Sequence, residues 1–206
     1  MPLLDADDAL PHRPSRVLVS GTSGSGKSTL ARQVARLLEL PYTELDSLFH
    51  GPGWTPMPDF LEKVDAFTSG RCWACEFQYD AVRPMLLDRA DLIVWLDYRH
   101  RVVMRRVTAR TLVRRLRREH LWNGNQEPPL RTILTDPEHI IRYAWGVRHG
   151  TEERARAMLE SHPGLLVVRL RSPQETRRWL AGPLAQACDG GHQEGRSDEG
   201  LQEGRR

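Results

Sequence analysis

The stretch Gly21-Thr22-Ser23-Gly24-Ser25-Gly26-Lys27-Ser28-Thr29 fits the pattern G-x-x-x-x-G-K-[ST], and its flanks leave the chain few folds to choose from. Ahead of it, Arg16-Val17-Leu18-Val19-Ser20 predicts a short buried strand. Behind it, Leu30, Val34, Leu37 and Leu38 recur at helical spacing. Glycines at 21, 24 and 26 let the backbone take positive φ, so that successive N–H groups converge on an anion at a helix N-terminus. In such a loop Lys27 reaches the β and γ phosphates, and the Ser28 hydroxyl ligates the Mg²⁺ that bridges them. Residues Gly21 to Thr29 are therefore expected to bind ATP with Mg²⁺. The chain is arginine-rich and has only two lysines, Lys27 and Lys63, which makes a chance lysine at this position rarer.

A chain of 206 residues suits one α/β domain with an inserted segment. The expected division is a flexible segment over 1–14, a kinase-like domain over 15–186 with a lid at about 106–136, and a disordered tail over 187–206. The tail is rich in Gly, Gln, Glu, Ser and Arg, a composition that buries too little apolar surface to order itself. Residues 1–14 carry Asp5, Asp7 and Asp8 and no long apolar stretch, unlike a signal peptide. No run approaches the roughly 18 apolar residues of a membrane span. These features predict a soluble, cytoplasmic protein with no membrane partner. The net charge of +3 is mild and does not announce a nucleic-acid binder, and the sequence sets no oligomeric state. Three cysteines, Cys72, Cys75 and Cys188, are too few for a disulfide framework. Cys72-Trp73-Ala74-Cys75 lies in a strand pattern, where positions three apart face opposite sides, and so argues against a redox pair.

Taken in order, Pro41 to Leu45 predicts a second strand ended by Asp46, at the sheet edge where ligands of open parallel sheets lie. A turn-rich aromatic segment, Ser47 to Trp54, precedes a helix over about Pro58 to Thr68 with Phe60, Leu61, Val64 and Phe67 on one face. A third strand runs from Cys72 to Phe77 with Glu76 near its end. A helix over about Ala81 to Asp88 then leads to Leu92-Ile93-Val94-Trp95-Leu96-Asp97, the most apolar strand and so a central one. Tyr98 to Arg118 predicts a helix with nine arginines and no acidic residue. Arg106, Arg110, Arg114 and Arg117 stack on one face, a like-charge arrangement that calls for an anionic partner. Glu119 to Pro129 predicts a loop, and Thr135-Asp136-Pro137-Glu138 opens a helix towards Leu159. Leu165 to Leu170 is the fifth strand, and Ser172 or Pro173 starts a last helix through Trp179 and Leu180. The fold class is thus α/β: a P-loop nucleoside-phosphate-kinase-like, parallel five-stranded sheet with helices on both faces and an Arg-rich lid.

From about Arg16 to Leu180 the chain resembles the DNA topology modulation protein family, P-loop NTPases similar to adenylate and shikimate kinases. The resemblance rests on Leu45-Asp46-x-Leu48-Phe49 with Pro52-Gly53-Trp54, on Trp73 and Tyr79, and on Asp97 followed by Arg106 and Arg110. Trp145, His162-Pro163-Gly164 and Arg169-Leu170-Arg171-Ser172 complete it. Where the family usually reads Trp-Ile-Ile-Asp-Gly-Asn-Tyr, this chain has Trp73-Ala74-Cys75-Glu76-Phe77-Gln78-Tyr79, which implies a remodelled acceptor site or metal shell.

The leading expectation is a kinase that moves the ATP γ-phosphate to a nucleotide or small hydroxylated acceptor. Lys27, Asp46, Arg106 and Arg110 are its candidate catalytic residues: Lys27 and the arginines neutralise the phosphates, and Asp46 orients or deprotonates the acceptor hydroxyl. Asp46, Glu76 and Arg114 are candidates for the acceptor site. Ser28 would hold Mg²⁺ directly, with Glu76 or Asp97 in its outer shell. Asp97 has the alternative role of capping the helix after it, and Asp46 that of capping a turn. The other class is a nucleotide-dependent regulator or nucleic-acid-associated ATPase affecting DNA topology, with the arginine face on phosphates of nucleic acid. Stacking aromatics are sparse there, Trp122 alone lying close by. A 5′-hydroxyl polynucleotide kinase would combine the two.

Overall fold

Strands whose successive residues are all apolar need cover on both faces, and the two strands at the middle of the sheet show how it is supplied. The computed structural model describes residues 3–117, 161–162 and 164–189. Val17 and Val19 of β2 (Arg16–Gly21) and Leu92, Val94 and Leu96 of β5 (Leu92–Leu96) face one core, shared with α1 (Lys27–Leu38), α5 (His100–Arg117) and Trp179. Leu18, Ile93 and Trp95 face the other, with Leu45, Phe60, Val64 and Leu86. The second face is covered by α2 (Leu45–Phe49), α3 (Phe60–Thr68) and α4 (Arg83–Arg89). Period-two alternation thus divides one sheet between two helical layers.

The sheet is parallel throughout and has six strands, in the order β1-β6-β5-β2-β4-β3. The remaining strands are β1 (Leu3–Leu4), β3 (Tyr42–Thr43), β4 (Trp73–Glu76) and β6 (Leu166–Leu170), and α6 (Pro173–Trp179) follows the last of them. From β2 the chain passes outward to β3, returns through β4 and crosses to β5 on the other flank of β2. That reversal makes the carboxyl end of β2 a topological switch point, where open α/β sheets bind ligands.

The sixth strand corrects the five expected. Leu3 and Leu4 pair with Val167 and Val168, so the segment expected to be flexible contributes the outer edge. Its acidic residues have partners: Asp5 lies 2.9 Å from the Arg171 guanidinium and Asp7 3.0 Å from that of Arg178. Ala6 is buried between them. A second correction concerns Asp46, which lies in the first turn of α2 rather than at a strand end, because β3 stops at Thr43. The loop expected over Glu119 to Pro129, the helix from Thr135 towards Leu159 and most of the expected lid lie outside the described residues, as do residues 190–206. Among the described residues no helix is long and apolar enough to cross a membrane.

Candidate active site

Gly26 is the N-cap of α1 at φ 102°, and it brings no side-chain hydrogen bond to the first turn, which also holds no acidic residue. The amide donors and the positive end of the helix dipole are left for a ligand. Gly24 is held at φ 80°, and a Cβ built there would lie 1.9 Å from Val107 Cγ2. The arginine-bearing helix α5 therefore packs directly on the loop, and only a glycine fits beneath it. Gly24→Ala is expected to destabilise the protein by roughly 2 kcal/mol or more, through overpacking and backbone strain together. Thermal denaturation measures this, and Val107→Ala in the same chain should recover part of the loss.

Within the loop, Ser25 N–H donates to Thr22 O at 3.1 Å, while the fully buried Ser25 hydroxyl has no hydrogen-bond partner. The Lys27 ammonium lies 3.4 Å from Thr22 O. Lys27 keeps part of its surface exposed, yet burial is the largest influence on its ammonium and lowers its pKa. The charges of Asp46 and Glu76 work the other way, and Arg110 adds to the lowering. Lys27 is thus a crowded cation that feels two carboxylates and a second cation. An open helix N-terminus, glycine-lined backbone, a crowded lysine and an orphaned buried hydroxyl suit a polyphosphate with its metal.

Two of the predicted cations reach this loop. Arg106 Nη1 donates to Ser25 O at 2.8 Å, and its guanidinium lies 5.1 Å from the centre of the Tyr98 ring. Arg110 is near enough to Lys27 to depress its pKa. The side chains of Arg114 and Arg117 lie outside the described residues.

The carboxylates divide into three environments. Glu76, at the end of β4 beside Val19, is buried, and one of its oxygens accepts from the Tyr42 hydroxyl at 2.6 Å. Its other oxygen lies 3.4 Å from Leu45 N. Glu76 thereby ties β4 to the start of α2. Asp97, expected in a magnesium shell or as a helix cap, accepts through Oδ2 from Arg169 Nε at 2.8 Å and Nη2 at 2.5 Å. Arg169, from the neighbouring strand β6, also lies over the Trp95 ring at 4.7 Å.

Asp46 is the most elaborately held of the three. Its Oδ1 accepts from Gln78 Nε2 at 2.7 Å and from the Tyr79 hydroxyl at 2.5 Å. The same hydroxyl lies 3.2 Å from His50 Nε2. Tyr79 has φ 64° and ψ 107°, a conformation that costs a non-glycine residue on the order of 1–3 kcal/mol. Its ring is pinned by stacking on Phe49 at 4.2 Å and an edge contact with Phe60 at 5.2 Å. Burial, foremost, and the Asp46 carboxylate push the Tyr79 hydroxyl far above its ordinary pKa. Burial lowers the pKa of His50, against the pull of Asp46. His50 and its tie to Asp46 through Tyr79 were not anticipated; the aromatic segment after Asp46 was the one visible sign of them. Of the cysteine pair, Cys72 precedes β4 and is exposed, whereas Cys75 lies within β4 and is buried, its thiol pushed well up by desolvation.

The sheet, its switch point and the loop define a P-loop α/β protein. No family model matches the chain. It is 25% identical over 146 residues to a shikimate kinase of Bradyrhizobium diazoefficiens, an alignment that spans 62% of this chain and 68% of that one. Among solved structures it is similar to a gluconokinase from Sinorhizobium meliloti, with a TM-score of 0.47 and 18% identity over 89% of this chain and 98% of that one. It is also similar to a shikimate kinase from Acinetobacter baumannii, with a TM-score of 0.45 and 16% identity over 89% and 94% of the two chains.

Proposed function

We propose that this protein is an ATP-dependent kinase that transfers the γ-phosphoryl group to a small hydroxylated acceptor. The observation that carries the reading is the loop at the carboxyl end of β2: Lys27 opens α1 there, Arg106 donates to Ser25 O at 2.8 Å, and Asp46, Glu76 and Arg110 are near enough to act on the lysine charge. Phosphate-binding cations and a candidate base thus converge on one place, as phosphoryl transfer requires.

In this reading the loop amides, Lys27, Arg106 and Arg110 bind the triphosphate and neutralise charge on the transferring group. Asp46 accepts the proton of the acceptor hydroxyl. The acceptor oxygen then bonds to the γ-phosphorus while the bond to the ADP oxygen breaks. Ser28 is the residue that would hold Mg²⁺, and the metal supplies further charge neutralisation when bound. Glu76 supports the site by fixing α2, and so Asp46, against β4. The likeness to a curated shikimate kinase supports a small hydroxylated acceptor in preference to a macromolecule. The likeness to the DNA topology modulation family is compatible with the same chemistry, and three free cysteines agree with a cytoplasmic setting.

The test is ADP release from ATP–Mg²⁺ against a panel of shikimate, gluconate, nucleoside monophosphates and 5′-hydroxyl oligonucleotides. A tenfold rise in turnover with one small acceptor is expected; a rise with oligonucleotides alone would overturn the reading. Arg106→Ala should lower kcat/KM for transfer by roughly 10-fold to 10³-fold, because a donor to the developing charge is lost. Arg105→Ala, exposed on the same helix, should change it little. Similar losses for both, together with a flattened salt dependence of oligonucleotide binding, would favour the nucleic-acid reading instead.

A further inference from the structure

Asp46, Tyr79 and His50 come from two places in the chain: Asp46 and His50 from the first turn and the C-cap of α2, and Tyr79 from the residue before the short turn Asp80–Val82. They nonetheless form one unbroken line of polar contacts, from Asp46 Oδ1 through the Tyr79 hydroxyl to His50 Nε2. Tyr79 can link the other two only because its backbone is held at positive φ and its ring is clamped by Phe49 and Phe60. A strained residue whose hydroxyl sits between a candidate base and an imidazole invites an explanation beyond packing. Packing alone would be served by phenylalanine.

We propose that Asp46, Tyr79 and His50 form a proton relay, in which Tyr79 both positions the Asp46 carboxylate and passes on the proton that Asp46 takes from the acceptor hydroxyl. The relay rests on the kinase reading. Its balance is simple. The acceptor O–H proton moves to Asp46 as the new P–O bond forms. Once Asp46 is protonated, the Tyr79 hydroxyl turns from it towards His50 in the Nδ1–H tautomer, gives its proton to Nε2, and takes the proton of Asp46 in return, which restores the carboxylate. The net result is a neutral tyrosine, a regenerated carboxylate and a protonated imidazole. The environments suit those parts: burial holds the proton on Tyr79 and shifts His50 towards its neutral form, while the Asp46 charge favours the imidazolium that the relay produces. His50 also makes edge contacts with Phe49 at 5.0 Å and Trp54 at 5.1 Å, which fix the plane of its ring. Proton removal away from the loop would keep positive charge near Lys27 unchanged through the cycle.

The experiment is a double-mutant cycle on the full chain, with Tyr79→Phe, His50→Gln and the pair, using whichever panel member gives the highest kcat. Phenylalanine keeps the stacked ring, and glutamine keeps a polar group that does not titrate. Each single variant is expected to lower kcat about 10-fold with KM for ATP unchanged, and the pair should lose no more than Tyr79→Phe alone, because both break one path. Losses that multiply in the pair, an unchanged kcat for either single variant, or losses that appear in KM for ATP would overturn the relay and leave the kinase reading standing. A wild-type protein that phosphorylates no member of the panel would overturn both.

Discussion

Lys27→Ala is expected to lower kcat/KM for ATP turnover by about 10²-fold to 10³-fold while leaving the protein folded, on the scale of losing one preorganised charge-stabilising donor. The structure adds an expectation about stability. Burial lowers the pKa of Lys27, so the folded state disfavours its charged form. For a lysine the sign follows directly: the cost is present in full below the lowered folded pKa and is gone above the unfolded one, near 10.5. At neutral pH the ammonium is therefore a burden to the fold, tolerated for what it binds. The alanine variant without ligand should melt no lower than wild type, whereas the rise in Tm on adding ATP–Mg²⁺ should largely vanish. Paired thermal scans measure both. A variant that melts lower and keeps its response to ATP would show that Lys27 is structural.

Much of this arrangement was legible because it is local. The strand before the loop, the glycines at its turns and the helix after it are neighbours in sequence, and each residue type matches the backbone conformation that it adopts. The central place of Leu92–Leu96 also followed from its apolar content, since a strand covered on both faces needs no polar alternation. The reach of Arg106 to the loop was foreshadowed by like charges stacked with no acidic relief.

What escaped was decided by long-range pairing. Residues 1–14 look solvated when read alone, yet Asp7 meets Arg178 across 171 positions and Leu3 joins an edge that forms only once β6 is in place. The pairing of Asp97 with Arg169 was equally hidden, because only the register of β5 with β6 brings the two together. The boundary at Asp46 was misplaced because a two-residue strand carries almost no periodicity, so Glu44 and Leu45 read equally well as strand or helix. Tyr79 belongs to the resembling stretch, but its conformation had no local signal: an aromatic residue at positive φ runs against its own preference, and only its clamp between Phe49 and Phe60 makes that conformation tenable.

Asp46→Asn is the sharpest test of chemistry at the other end of the site, and it should lower kcat for phosphoryl transfer by roughly 10²-fold to 10⁴-fold, the usual worth of a general base. Asparagine has nearly the same shape, and its Oδ1 still accepts from Gln78 and Tyr79, so the surrounding contacts should survive. What disappears is the capacity to take a proton. KM for ATP should therefore stay within a few-fold of wild type, and so should the rise in Tm on adding ATP–Mg²⁺, since the influence of Asp46 on Lys27 is electrostatic. Removing that charge withdraws one of the two carboxylates that favour the lysine ammonium, which would lower its pKa further. Any weakening of ATP binding should accordingly grow as the pH is raised. Steady-state kinetics with the best acceptor, run beside thermal scans, separates the outcomes: a large loss in kcat at unchanged Tm marks Asp46 as the base, and a loss of Tm with kcat preserved would reduce it to a cap on α2.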